Sequence, residues 1–246
     1  MGNGIFVTGT DTGVGKTLVS SALVRRLMQM GCAVGVMKPV ETGVQSDLFD
    51  QTDAGRLMAA AGVGERLDLV CPYRFHAPLA PLAAANAEGR DIDMQDILRS
   101  YARLAGQHAF MVVEGAGGLL VPVGENWSMR DLIAKLGLPV VLVGRAGLGG
   151  INHVLLTLEC LRREGIVVLA LMLNETAAPR TPVEREQIAS TVTLLHERAA
   201  VPVLGPLPYQ AQLDHDWSGP IERLARSRPI MDLAERVWRA TAESSG

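Results

Sequence analysis

The chain predicts an α/β fold, a single domain with a mainly parallel sheet and helices on both faces. Three observations carry this. Short continuous apolar runs at residues 5–7, 34–37, 110–113, 140–143, 166–173 and 201–204 read as strands buried on both faces. Stretches with apolar residues at helical spacing lie between most of them, the alternation that builds parallel sheets. The first run also leads directly into Gly9-Thr10-Asp11-Thr12-Gly13-Val14-Gly15-Lys16-Thr17, a Gly-rich turn that opens a helix.

Taken in order, Leu18, Ala22, Leu23 and Leu27 predict a helix up to Met30, stopped by Gly31. The strand over 34–37 ends in Lys38-Pro39, and residues 41–52 read as a loop. Asp53 opens a helix that runs to Ala61 and stops at Gly62. Pro72, Pro78 and Pro81 break the next segment, which predicts a connection wandering over the surface. A helix over 94–105 leads to the strand at 110–113, which ends at Glu114 before the turn-rich Gly115-Ala116-Gly117-Gly118. Helices over 151–163 and about 184–198 flank the strands at 166–173 and 201–204. From Leu213 onward the sequence assigns no role.

No repeat or interdomain linker divides the 246 residues, and 48% hydrophobic content is ample for one core. A formal net charge of −3 offers no basic patch, so neither nucleic acid nor an anionic membrane is an expected partner. Cys32, Cys71 and Cys160 are far apart and odd in number, which points to a reduced, cytoplasmic setting without disulfides or zinc. The longest apolar stretch, 166–173, is too short to span a bilayer.

The Gly-rich turn is a phosphate-binding loop. A strand that ends in such a turn and opens a helix aims several backbone N–H groups at one spot, where the helix dipole already favours an anion. Lys16 adds a mobile charge for terminal phosphates, and the Thr17 hydroxyl is a Mg²⁺ ligand in this pattern. The loop is a variant: five residues before Gly15 stands Thr10, where the strict pattern has glycine. The fold is therefore expected to be P-loop NTPase-like. In open parallel sheets ligands sit outside the carboxyl ends of the strands, and there the sequence places Lys38, Glu114 and Asn174. Lys38, Glu114 and Asp53 each have two readings at this level. Lys38 is a phosphate-side cation or a solvated strand-end lysine; Glu114 supports a metal or caps a turn; Asp53 is a second metal carboxylate or a helix N-cap. The five histidines form no H-E-x-x-H pair and no Gly-x-Ser-x-Gly elbow occurs, so zinc peptidase and serine hydrolase chemistry has no support.

Four blocks, residues 7–17, Lys38-Pro39-Val40-Glu41-Thr42-Gly43, Val113-Glu114-Gly115-Ala116-Gly117-Gly118 and Gly150-Ile151-Asn152-His153, together resemble the dethiobiotin synthetase family in order and spacing, to about Pro208. The resemblance implies ATP- and Mg²⁺-dependent carboxylation of 7,8-diaminononanoate with CO₂, followed by closure of the ureido ring in biotin biosynthesis. It implies Lys16 and Lys38 as catalytic charges, with Thr12 beside them, and Thr17, Asp53 and Glu114 as the metal set. Thr12, Gly13, Val14, Gly15, Lys16, Thr17, Asp53, Glu114, Gly115, Ala116 and Gly117 would bind ATP, with Asn174 reading adenine and Gly205, Pro206 and Leu207 lining the base. Thr42 would touch the diamine, and Gly147, Gly150 and Asn152 its carboxylate across a homodimer interface. The chain departs from some members at Gly13, where they carry an acid, and after Asn174, where Glu186 and Gln187 stand in place of a tyrosine. Two other readings share the loop. A regulatory ATPase of the partitioning type would carry a signature lysine where Asp11 stands, and a cobyrinate-type ATP-dependent ligase would need a glutaminase domain that 246 residues do not accommodate.

Overall fold

Every residue of β1 (Gly4–Gly9) and β2 (Val34–Met37) is buried. Successive strand side chains face opposite sides of a sheet, so unbroken burial requires cover on both faces. The computed structural model, which describes residues 3–45, 49–62, 64–211, 213 and 215–243, supplies that cover with helices. β5 (Phe110–Gly118), β8 (Val140–Arg145), β9 (Val168–Asn174) and β10 (Val203–Leu207) complete a six-stranded sheet in the order β10-β9-β8-β1-β5-β2. All neighbouring pairs are parallel, as expected of crossover connections through helices. All six predicted strands are present, with ends shifted by a few residues.

α1 (Lys16–Gln29) follows β1 through the Gly-rich turn and is buried along most of its length. α2 (Asp53–Ala61) starts one residue after its cap: Thr52 Oγ1 accepts from the Gly55 N–H at 3.0 Å, and Gly62 closes the helix in the left-handed region. α5 (Met94–Ala105), α7 (Gly150–Arg163) and α8 (Pro182–Arg198) match the predicted helices. α8 begins two residues early because Thr181 and Glu184 form a capping box around Pro182 at N1.

Several expectations are corrected. Residues 41–52 are not all loop: β3 (Val40–Thr42) pairs in parallel with β4 (Tyr73–Phe75), and a 3₁₀ turn spans Phe49–Gln51; residues 46–48 lie outside the described ones. The proline-broken segment does not wander over the surface. Phe75 is fully buried and Tyr73 nearly so, and Pro81 starts α4 (Pro81–Ala87) at N1, where a missing N–H costs nothing. The short α3 (Leu67–Val70) precedes it. Glu114 does not end its strand. β5 runs on to Gly118, but pairing jumps from Val7↔Glu114 to Gly9↔Gly118, so Gly115, Ala116 and Gly117 form a bulge rather than a turn. Beyond it the sequence did not foretell β6 (Pro122–Gly124), β7 (Trp127–Ser128) or α6 (Met129–Leu136), although Ser128 and Asp131 make a capping box.

The segment after Leu213 folds as α9 (Ser218–Ala225) and α10 (Arg228–Glu243), both packed on α1, with α10 also against β9 and β10. Ile221, Leu224, Ile230, Leu233 and Val237 are buried there. Among the described residues no helix is long and apolar enough to cross a membrane.

Candidate active site

The loop between β1 and α1 reaches its shape through glycine. Gly13 and Gly15 have φ of 72° and 101°, a region open to them without a Cβ. At Gly15 a Cβ would also strike Asn174 Nδ2, so this glycine lets β9 press against the loop. Asn174 Nδ2 donates to the Val14 carbonyl at 3.0 Å, and its buried Oδ1 has no partner. Asn174 therefore offers Oδ1 as a free acceptor, while one of its two Nδ2 donors is committed to the loop. Gly205 and Leu207 lie beside it at the end of β10: Leu207 is in register with Asn174, and a Cβ on Gly205 would strike the Leu173 carbonyl. The Gly205–Pro206 peptide is cis.

Five charged or hydroxyl side chains from four elements meet in front of the loop. Thr17 Oγ1 lies 2.7 Å from Asp53 Oδ1 and 2.9 Å from Glu114 Oε1. One hydroxyl proton serves only one of these at a time, which leaves oxygen facing oxygen at the other. Lys38 Nζ stands 2.7 Å from Asp53 Oδ2 and 2.6 Å from Glu114 Oε1, and donates to the Gly115 carbonyl at 3.2 Å. Lys38 is therefore not a solvated strand-end lysine, since its side chain is only 3% exposed. Asp53 is not the N-cap, because Thr52 has that duty and frees the Asp53 carboxylate for Thr17 and Lys38. Glu114, fully buried, keeps Oε2 without a partner among the described residues.

The electrostatics follow from that packing. Burial alone would strip charge from Lys38, but the facing carboxylates of Asp53 and Glu114 outweigh it and hold the ammonium above the ordinary lysine range. Burial would likewise raise Asp53, yet the Lys38 charge and the hydrogen bonds from Lys38 and Thr17 bring it below the usual aspartate value. Lys16, whose Nζ donates to the Asp11 carbonyl at 2.9 Å, is lowered to about 8 by burial and then by repulsion from Lys38. Among the described residues no three His, Cys, Asp or Glu side chains form a metal cluster by themselves. One hydroxyl, two carboxylates and an orphaned carboxylate oxygen nevertheless make an all-oxygen donor set, which suits a hard divalent ion that keeps waters and phosphate oxygens in its shell.

Thr12, Gly13, Gly15, Lys16, Thr17, Lys38, Thr42, Asp53, Ala116 and Gly117 all line one cleft of about 800 Å³. Glu114 and Gly115 lie at its base through their bonds to Lys38. Gly147, Gly150 and Asn152 are not brought there. They belong to the turn and first residues of α7, and Asn152 lines a separate cleft with Leu155, Leu156 and Arg162.

Sequence reasoning missed several residues. The buried Glu41 carboxylate accepts from the backbone N–H groups of Asp53 and Ala54, which fixes the first turn of α2 and aims Asp53. Burial and then the Asp53 charge raise its pKa. Nothing in local spacing links position 41 to 53, so only the fold reveals it. Arg56 also lines the cleft, and its i+3 spacing from Asp53 was the available signal. Pro78, Pro81, Leu213 and Trp217 complete the walls.

A family model for an AAA domain, AAA_26, matches residues 3–216. The ATP-dependent dethiobiotin synthetase BioD of Anaeromyxobacter dehalogenans (strain 2CP-C) is 48% identical over 189 residues, 76% of this chain and 84% of that protein. That of Thermodesulfovibrio yellowstonii is 38% identical over 225 residues, covering 88% and 92%. That of Bacillus velezensis is 37% identical over 219 residues, covering 89% and 91%. Among solved structures, a chain of the MinC:MinD cell division complex of Aquifex aeolicus superposes with a TM-score of 0.56 at 15% identity over 96% of both chains. The cell division ATPase MinD of Pyrococcus furiosus gives 0.55 at 16%, covering 98% and 100%. At such identities these two speak for the fold alone, and the sequence relatives decide between the readings: the chain belongs to the ATP-dependent dethiobiotin synthetase family.

Proposed function

We propose that this chain joins CO₂ to 7,8-diaminononanoate at the expense of ATP, giving dethiobiotin, ADP and phosphate. The observation that carries the reading is the convergence of Lys16, Thr17, Lys38, Asp53 and Glu114 in front of the phosphate loop, with Thr42 on the same cleft wall. One amine of the substrate takes up CO₂ as a carbamate, and a carbamate oxygen attacks the γ-phosphorus as ADP leaves. The second amine then attacks the carbonyl carbon and expels phosphate, which closes the ring. Lys16 and Lys38 hold positive charge where it is needed on the phosphoryl and carbamate oxygens, with Thr12 and the loop N–H groups beside them. Lys38 stays protonated because two carboxylates face it. Incubation with ATP, bicarbonate and the diamine should yield dethiobiotin by mass, with one ADP per product. ATP consumption without that mass would overturn the reading.

Thr17, Asp53 and Glu114 are the proposed Mg²⁺ set, with Glu41 as the group that orients Asp53. When bound, the ion would neutralise charge on the terminal phosphates. Glu114→Gln and Asp53→Asn should each raise the Mg²⁺ concentration for half activity by about tenfold or more. Glu41→Gln should shift it in the same direction by less. Curves that coincide with wild type for both carboxylate variants would remove them from the set.

Asn174, with Gly205, Pro206 and Leu207 alongside, is the proposed adenine site. Its unpartnered Oδ1 suits the adenine amino group and meets an unfavourable acceptor in guanine. Asn174→Ala should weaken ATP more than GTP, because the loop support from Nδ2 is lost for both but the base contact only for ATP. An unchanged ratio of the two affinities would move base recognition to backbone groups near Gly205.

The same reading takes the chain as a cytoplasmic homodimer in which Gly147, Gly150 and Asn152 of one subunit complete the diamine site of the other. That none of the three lines the phosphate-loop cleft of their own chain supports it.

A further inference from the structure

Among the described residues the Arg56 side chain forms no ion pair and no hydrogen bond, and its buried Nε has no partner there. Its one described contact is with the indole of Trp217, whose ring centroid lies 4.1 Å from the guanidinium carbon. A guanidinium stacked on a ring keeps its edge donors free for a planar or tetrahedral oxyanion. Those donors belong to a side chain that lines the cleft shared by Lys16, Thr17 and Lys38. Arg56 is one turn along α2 from Asp53, and Asp53 is hydrogen-bonded to Thr17 at the start of α1. Arg56 and Asp53 thus line the cleft from one face of α2, whereas Thr42 and Pro78 to Pro81 come from other elements.

Trp217 is held from the opposite direction. It is the N-cap residue of α9 and the first residue beyond the region matched by the family model. α9 is fixed to α1 by buried Ile221 and Leu224, by a 2.7 Å ion pair between Arg25 and Glu222, and by a 2.9 Å bond from Gln29 to Glu222. The C-terminal helices thereby carry an aromatic platform to the cleft wall.

We propose that Arg56 binds the polyphosphate of ATP, and that Trp217 is a positioning residue that holds its guanidinium toward the phosphates. The inference rests on the reading of this cleft as an ATP site. It gives the tail after Leu213 a role in nucleotide binding.

Calorimetric titration of the full chain with ATP and with adenosine tests it, because binding is read without turnover. Arg56→Met, which keeps the stem and removes the charge, should weaken ATP by about tenfold or more, the loss of a charge-assisted hydrogen bond, and leave adenosine within twofold. Trp217→Leu should lose part of the ATP affinity and Trp217→Phe, which keeps a ring, less of it. In the Arg56→Met background, Trp217→Leu should add no more than twofold, since there is no guanidinium left to orient. In steady state the KM for ATP should rise in Arg56→Met while that for the diamine holds. Wild-type ATP affinity in Arg56→Met overturns the proposal, as does an equal loss for ATP and adenosine, or a rise in the diamine KM alone. Full additivity of the double variant would reduce Trp217 to a structural residue. A wild-type chain that binds ATP and forms no dethiobiotin would sink the synthetase reading and leave this one standing.

Discussion

Lys38→Ala should lower turnover by on the order of 10²-fold or more while ATP still binds, as for other removed groups that stabilise transition-state charge. The size of the effect has two sources. The ammonium is the charge nearest to both carboxylates, at 2.6 and 2.7 Å, so its loss removes a cation from the reacting centre. It also leaves Glu114, with no exposed surface, facing Asp53 through the Thr17 hydroxyl without compensation. Removing one member of a buried ion pair typically costs about 3–5 kcal/mol of stability, so a melting temperature must accompany each rate. Lys38→Met, which retains most of the stem, separates lost packing from lost charge. A folded variant that turns over at the wild-type rate would return Lys38 to the status of a strand-end charge.

The same residue illustrates what local sequence can resolve. Lys38, Glu114 and Asn174 were placed at strand ends by apolar runs of four or more residues, and the parallel sheet does bring all three to its carboxyl-terminal side, although β5 runs on past Glu114 to Gly118. Spacing alone left Lys38 with two readings because its deciding contacts, to Asp53 and Glu114, lie 15 and 76 residues away. Asp53 is decided by Thr52, whose hydroxyl caps α2 and releases the carboxylate. Prolines misled: Pro72, Pro78 and Pro81 were read as breakers, but a proline at N1 starts a helix, and the segment between them pairs as β4 with the strand that carries Thr42. The glycines at 115, 117 and 118 were read as a turn, where they permit a bulge that keeps Glu114 in the sheet and the Gly115 carbonyl beside Lys38. Tertiary packing, absent from any window of sequence, accounts for Glu41 and Trp217, whereas Arg56 was within reach of its spacing from Asp53.

Mixing two inactive variants, Lys16→Ala and Asn152→Ala, should restore activity if the diamine site is shared between subunits. Asn152 stands in the first turn of α7, outside the cleft that holds Lys16. Ile151 and Leu155 pack partly against their own core, so the apolar surface left for a neighbour is that of Leu148 and Leu156, 76% and 61% exposed. Leu156 also lines a cleft of about 570 Å³ with Asn152, so this end of α7 carries exposed apolar surface next to the segment in question. In a C₂ dimer one patch serves both chains, and each site would combine the phosphate loop of one chain with the 147–152 segment of the other. A mixed dimer then has one site with both defects and one with neither. Random exchange makes about half of the dimers mixed, so about a quarter of the wild-type activity should return. The check is an activity titration of one variant into the other after exchange has been verified by native mass spectrometry of a mass-tagged chain. No recovery from exchanged subunits would confine the whole site to one chain, and an active monomer would remove the dimer from the mechanism.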